Sequence, residues 1–175
     1  MIHLFIDTSQ PYLILAVKNG PSIFQTIIRH ENSLGALLSQ EVTHLLEKAS
    51  VGFKDLEEIR IGVGPGSYTG TRVGVAFAES LGFGLNIPVI KLPSLVFFLQ
   101  KGEKELIIKS KFNTIGLLKV NGPLWDYQVL SQETLAYAHA RLLDPSTKAP
   151  EPDFELLAIL ETPTPLQNLL YFNRI

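Results

Sequence analysis

Gly64-Pro65-Gly66-Ser67-Tyr68-Thr69-Gly70-Thr71-Arg72-Val73-Gly74-Val75-Ala76 follows an apolar run, Ile59 to Val63, and opens a helical pattern that lasts to about Gly84. A strand, a glycine-rich turn and a helix meet here. Pro65 fixes one backbone angle, and Gly64 and Gly66 reach conformations closed to residues with a Cβ. Ser67 or Thr69 can cap the helix. The free N–H groups of such a helix start can hold an anion. The spacing is nevertheless neither G-x-G-x-x-G nor a Walker loop, because no Lys follows the last glycine. The stretch specifies a tight strand-to-helix turn and does not specify a phosphate loop.

The helix after the turn carries Gly70, Gly74, Ala78 and Gly82 at intervals of four, one slowly drifting stripe on one side. A glycine inside a helix costs about 1 kcal/mol relative to alanine. Close approach of another backbone is the usual compensation. That backbone belongs either to this chain's own sheet or to a helix of another subunit, and the stripe alone does not decide.

Working outward, Ile2 to Ile6 reads as a buried strand, Asp7-Thr8-Ser9-Gln10-Pro11 as a turn, and Tyr12 to Val17 as a second strand. Asn19-Gly20 signals a hairpin into a third strand, Ser22 to Ile28. Ser33 to Ala49 is a helix whose apolar face comprises Leu34, Leu37, Leu38, Val42, Leu45 and Leu46. Pro88 to Leu92 is a short strand, and Pro93-Ser94 begins a third helix to about Gln100. The order for the first domain, residues 1–101, is β-β-β-α-β-α-β-α. The charged turn Lys101-Gly102-Glu103-Lys104 marks the boundary to a smaller domain, residues 102–175. There, strands are expected over Leu106–Lys109, Thr114–Val120, Tyr127–Leu130 and Glu155–Leu160, with a helix over Gln132–Leu143. Asp144 to Asp153 reads as a loop, and the tail from Leu166 as a short helix or extended segment.

The chain has 175 residues, 46% hydrophobic and 18% charged, enough to bury a core. A net charge of −2 gives no electrostatic case for gripping nucleic acid unaided. There is no cysteine, which excludes disulfides, thiolate catalysis and cysteine–zinc sites. The start, Met1 to Asp7, meets an acidic residue too early for a secretory signal, and no apolar stretch of membrane-spanning length lacks charges and prolines. A cytoplasmic location is the expectation.

Chemistry-bearing residues are sparse. His3, His30, His44 and His139 fall at no metal spacing, and there is no H-E-x-x-H. Ser67 does not stand in G-x-S-x-G, so a hydrolase is disfavoured. No catalytic residue and no metal site is assigned. Asp7 and Thr8, at the end of the first strand, together with Ser67 and Arg72, form a candidate ligand turn. The alternative for Asp7 is an Asx-type turn bonding to its own backbone. For Arg72 it is a surface salt bridge.

In order, Ile6-Asp7-Thr8-Ser9, the block Gly62 to Ala76, Gly82-Phe83-Gly84, Ile87-Pro88-Val89 and Ser94-Leu95 resemble the bacterial TsaB (YeaZ) family, also described as glycoprotease-like. The resemblance covers residues 1–100 and fades beyond 101. It implies an α/β, actin-like and RNase H-like ASKHA fold with two lobes of mixed sheets. The second lobe is expected to be truncated, because the chain is shorter than typical members. It implies a non-catalytic role in making N6-threonylcarbamoyladenosine at tRNA position 37. The implied partners are TsaD, the paralogue that transfers the group, and TsaE, an ATPase. tRNA is reached through the complex. No cofactor is expected to bind this chain tightly, and ATP or ADP is expected only at the complex interface. The family's two first-lobe helices form a four-helix bundle with those of TsaD. Leu34, Leu38, Val42, Gly70, Gly74, Ala78 and Gly82 thereby become the candidate partner interface, and a homodimer through the same surface is allowed. Where family members carry Asp-Ala-Arg, this chain has Lys109-Ser110-Lys111. The reading kept as an alternative is an ATP-dependent phosphotransferase of the same superfamily using Asp7. The lack of a glycine between Asp7 and Pro11 counts against it.

Overall fold

The computed structural model describes residues 1–30, 34–109, 114–131, 141–143 and 149–160. It divides into two compact units, Met1–Ser94 and Leu95–Ile175. In the first unit, strands β1 (Ile2–Asp7), β2 (Tyr12–Asn19) and β3 (Ser22–Arg29) form an antiparallel meander. Helix α1 (Leu34–Lys48) leads to β4 (Glu58–Gly62), which pairs parallel to β1. Helix α2 (Tyr68–Leu85) leads to β5 (Val89–Leu92), parallel to β4. The sheet order is β3-β2-β1-β4-β5. A two-residue loop closes the β2–β3 pair, but it is Gly20-Pro21 and not Asn19-Gly20: Asn19 is the last residue of β2, opposite Ser22, and Gly20 takes the positive φ.

Alternation on the strands explains the core. Leu4 and Ile6 of β1, Leu13, Leu15 and Val17 of β2, and Ile59 and Ile61 of β4 share one face. That face packs with Leu38, Val42, Leu45 and Leu46 of α1 and Ala78 of α2. Phe5, Ile14 and Ala16, which point the other way, are also fully buried. Helix α2 is capped by the Ser67 hydroxyl, which accepts the Gly70 N–H at 3.1 Å, and ends at Asn86 in the left-handed region. Asparagine tolerates that conformation better than most residues with a Cβ.

In the second unit, β6 (Glu105–Lys109), β7 (Thr114–Asn121), β8 (Leu124–Ser131) and β9 (Arg141–Leu143) form a mixed sheet in the order β8-β7-β6-β9. Three expectations change here. The helix expected after Pro93 is one 3-10 turn, Ser94–Phe98. Leu95 to Leu99 are all buried, and a run buried on every side lacks the polar face of a surface helix. Arg141–Leu143, expected as a helix end, is a strand parallel to β6; residues 132–140 lie outside the described residues. The expected strand Glu155–Leu160 is helix α3 (Phe154–Ile159), capped by Asp153, whose carboxylate accepts the Leu156 N–H at 3.1 Å. Phe154, Leu157 and Leu160 are buried, a spacing of three that suits a helical turn. The tail from residue 161 lies outside the described residues.

Candidate functional site

The site grows from the C-terminal ends of β1 and β4, neighbouring parallel strands of the sheet. β1 delivers Asp7, Thr8 and Ser9, all fully buried. Asp7 Oδ1 accepts the Ser9 N–H at 3.1 Å and the Ser9 hydroxyl at 2.9 Å. This is the Asx-type turn that the sequence offered as one reading. Asp7 Oδ2 and the Ser94 hydroxyl fill the volume above Gly62 where a Cβ would stand. Gly62 is therefore required by the carboxyl beside it. The Ser94 hydroxyl accepts the Gly64 N–H at 2.8 Å, and the Ser94 N–H returns a bond to Gly64 O at 2.8 Å. Gly64 stands at φ 102, a conformation that a residue with a Cβ rarely adopts. Burial pushes the Asp7 carboxyl up to about 6, opposed by hydrogen bonds from Ser94 and Ser9. Oδ2 meets no donor at full hydrogen-bond geometry, so the opposition is partial.

The β1–β2 turn and the start of α2 are tied directly to each other. The Ser67 N–H donates to Ser9 O at 2.6 Å, and Gln10 Nε2 donates to Pro65 O at 3.0 Å. The Thr8 hydroxyl donates to Gly70 O at 2.8 Å. A Cβ on Gly66 would strike Ser9 O, one on Gly70 would strike Thr8 O, and one on Gly74 would strike the Thr8 side chain. A Cβ on Gly82 would strike Val89 of β5. The glycine stripe therefore exists to let α2 lie against the protein's own β1–β2 turn and β5.

This corrects the candidate interface. Gly70, Gly74, Ala78 and Gly82 are the buried residues of α2, and Leu38 and Val42 have no exposed surface. All six are spent inside the chain; Leu34 is half-buried against the same core. Periodicity locates a stripe but not what it faces. Of the candidate ligand turn, Asp7, Thr8 and Ser67 come together, while Arg72 does not. Arg72 is exposed, its guanidinium stacked 4.1 Å above the Tyr68 ring.

What the helices present outward is different. On α2 the exposed face runs through Arg72, Ala76, Glu79, Ser80 and Phe83, and Phe83 is 90% exposed. On α1 it begins with Gly35 and Ala36, whose backbone at Gly35 lies beside Val73 of α2. Sequence reasoning passed over Phe83, although it flanks the last glycine of the stripe. It also passed over Ser94, whose role depends on a turn thirty residues earlier in the chain. Elsewhere on the sheet, His3 is buried with Nδ1 3.7 Å from Glu58, which also pairs with Arg60. Burial holds the His3 imidazole below its ordinary range. Among the described residues, no three His, Cys, Asp or Glu side chains gather into a metal-binding group. None of the described helices is long and apolar enough to cross a membrane.

The class of protein follows from this topology. A five-stranded β3-β2-β1-β4-β5 sheet, with helices following β3 and β4, is the lobe of an actin-like, RNase H-like ASKHA fold. The YeaZ structure from Pseudomonas aeruginosa superposes with a TM-score of 0.70 at 20% identity, covering 91% of each chain. The family model described as "TsaD: tRNA N6-adenosine threonylcarbamoyltransferase" matches residues 30–110. Two proteins named tRNA threonylcarbamoyladenosine biosynthesis protein TsaB are similar over the segment they share with this chain. The one from Bacillus subtilis (strain 168) is 33% identical over 96 residues, 54% of this chain and 42% of that protein. The one from Escherichia coli (strain K12) is 32% identical over 100 residues, 55% of this chain and 42% of that protein. The chain is similar to proteins of the TsaB (YeaZ) family over its first unit and shares the fold of YeaZ. It matches less than half the length of these two relatives.

Proposed function

We propose that this chain takes part in threonylcarbamoyladenosine synthesis on tRNA as the non-catalytic partner that binds and activates TsaD, with TsaE joining the pair. The observation that carries the reading is the closed β1–β2 turn. In a nucleotide-using lobe of this fold, that turn must leave room for phosphate. Here Thr8, Ser9 and Gln10 bond directly to Gly70, Ser67 and Pro65. The Asp7 carboxyl is buried over Gly62 and turned to Ser9 and Ser94. Thr8 is employed in holding α2, and Asp7 in closing its own turn against Ser9 and Ser94. A scaffold role follows, with any ATP or ADP confined to the interface of the complex and tRNA contacted through the assembly.

The partner face in this reading is the outer surface of α2 around Ala76 and Phe83, continued by Gly35 and Ala36 of α1. Small residues let helices approach, and one exposed aromatic supplies an anchor. The test is co-purification with the TsaD of the same organism, followed by tRNA modification with TsaE and ATP present. Modification that depends on this chain, with no ATP turnover by the chain alone, is expected. ATP turnover by the purified chain that Asp7→Ala abolishes would overturn the reading in favour of a phosphotransferase.

A further inference from the structure

We propose that Asp7 and Ser94 form a proton-operated latch on the glycine turn, closed while Asp7 holds a proton and loosened when the proton leaves. Asp7 has no exposed surface, and Ser94 is almost fully buried. The two carboxyl oxygens are treated differently. Oδ1 accepts both the Ser9 N–H and the Ser9 hydroxyl. Oδ2 is buried without a hydrogen bond of full geometry. It lies with the Ser94 hydroxyl in the space that Gly62 leaves by lacking a Cβ. A buried charge with so little compensation is costly, and a proton on Oδ2 removes it. The ionisable groups of the neighbouring elements are directed elsewhere. On β4, Arg60 bonds to Glu58; on β5, Lys91 pairs with Glu79 of α2; on α2, Arg72 stacks on Tyr68. His3, four residues before Asp7 on β1, lies near Glu58 and is kept neutral by burial. Burial and the Ser9 and Ser94 donors are what set the proton affinity of Asp7.

Ser94 links this proton to the turn. Its hydroxyl accepts the Gly64 N–H at 2.8 Å, and its own N–H donates to Gly64 O at 2.8 Å. Those two bonds hold Gly64 at φ 102, directly ahead of Ser67, whose N–H donates to Ser9 O. A hydroxyl has one donor and two acceptor sites, so Ser94 can serve either state of Asp7. With Asp7 protonated, Oδ2–H donates to Ser94 Oγ, which accepts from Gly64 at the same time. With Asp7 ionised, the bond must reverse, and Ser94 turns its own proton to Oδ2. The second arrangement leaves a charge in the core with one hydroxyl to support Oδ2. Opening the Gly64–Ser94 pair admits water to that oxygen, so ionisation favours the open turn. The sign is that of a carboxyl raised from 3.8 to about 6 by burial. The closed latch is favoured at low pH, and the advantage is lost as pH rises through about 6.

The test is amide hydrogen exchange of the full chain by NMR between pH 5 and 7, corrected for the intrinsic pH dependence of exchange. Protection of the Gly64 and Ser94 N–H groups should fall about tenfold over this range, the change in protonated fraction for a carboxyl near 6. Low urea should not speed that exchange, because a local opening exposes little surface, whereas the core strands should respond to urea. In Asp7→Asn the side-chain amide stands in for the protonated acid, so protection should stay constant with pH. In Ser94→Ala the ionised carboxylate loses a donor, so the Asp7 carboxyl carbon should titrate at higher pH than in the parent. Should Asp7→Asn fail to fold, the parent's exchange and the Ser94→Ala titration decide. Protection that is flat with pH in the parent would overturn the proposal. So would Gly64 and Ser94 exchange as urea-sensitive as that of the core, or an Asp7 titration unmoved by Ser94→Ala.

Discussion

The two faces of helix α2 differ in what small residues mean. The inner face is Gly70, Gly74, Ala78 and Gly82, and every position is buried against the chain's own turn and strands. The outer face includes Ala76 and the nearly bare ring of Phe83. On the inside, a side chain is absent because an atom already stands in its place. On the outside, a large apolar side chain is present and no described residue covers it. A glycine stripe therefore marks close approach and nothing about whose backbone approaches. An uncovered aromatic is the better sign of a partner, because exposing it in water has a hydrophobic cost that burial in an interface removes.

The strongest way to break this contrast is Gly74→Leu. The new side chain would start where the Thr8 side chain stands, and Thr8 is itself fixed by its bond to Gly70 O. Overpacking costs about 1–3 kcal/mol where neighbours can yield, and here they yield little. Calorimetry should show a steep fall in melting temperature or no folded protein. A mutant melting like the parent would mean that α2 does not lie on the β1–β2 turn.

Asp7→Asn should act with the opposite sign. The carboxyl is fully buried and its folded pKa is about 6 against 3.8 unfolded. Between those values the folded state holds a proton that the unfolded state has lost. Its contribution is thus fully present below pH 3.8 and is lost as pH rises through about 6. At about 1.4 kcal/mol per unit, the difference is on the order of 3 kcal/mol. An amide carries no charge to bury, so the mutant should gain on the parent as pH rises from 4 to 6 and hold that gain at pH 7. Urea unfolding of both proteins across this range measures the difference. A mutant that is less stable at pH 7 would show that the ionised carboxylate is held by more than Ser9 and Ser94.

Thr8→Val sharpens the inner contact at lower cost. It keeps the shape against Gly74 and deletes the donor to Gly70 O. A net loss of about 1 kcal/mol is expected from denaturant midpoints. If stability is unchanged, the hydroxyl is dispensable and shape alone holds the turn.

Phe83→Ser tests the outer face and should barely move stability, within about 0.5 kcal/mol, since the ring is exposed. Its effect belongs to assembly. Titration with TsaD should weaken about tenfold or more, equivalent to about 1.4 kcal/mol. Unchanged affinity would remove Phe83 from the partner face.

The sequence by itself determined the local framework of the first unit. The β2–β3 hairpin, one residue along from the Asn19-Gly20 signal, the strand expected over Ile59–Val63 and found at Glu58–Gly62, the glycine turn and a side-chain cap, Ser67 of the two candidates Ser67 and Thr69, were legible because each depends on residues close in the chain. The Asx bond from Ser9 to Asp7 was legible for the same reason. Where local signals were balanced, tertiary burial decided. Phe154 to Ile159 is apolar enough for a strand, yet it coils because Asp153 caps it and its buried positions fall three apart. Ser94 to Phe98 forms a 3-10 turn in place of the expected surface helix, with Leu95 to Leu99 all buried. Only the tertiary structure set the direction of the α2 stripe and brought Ser94 to Gly64 and Asp7 over Gly62. Periodicity gives the angle of a side chain about its own helix axis. It carries no information on how that axis is rotated against the sheet, and packing fixes the rotation by placing α2 where Thr8 leaves no room for a Cβ.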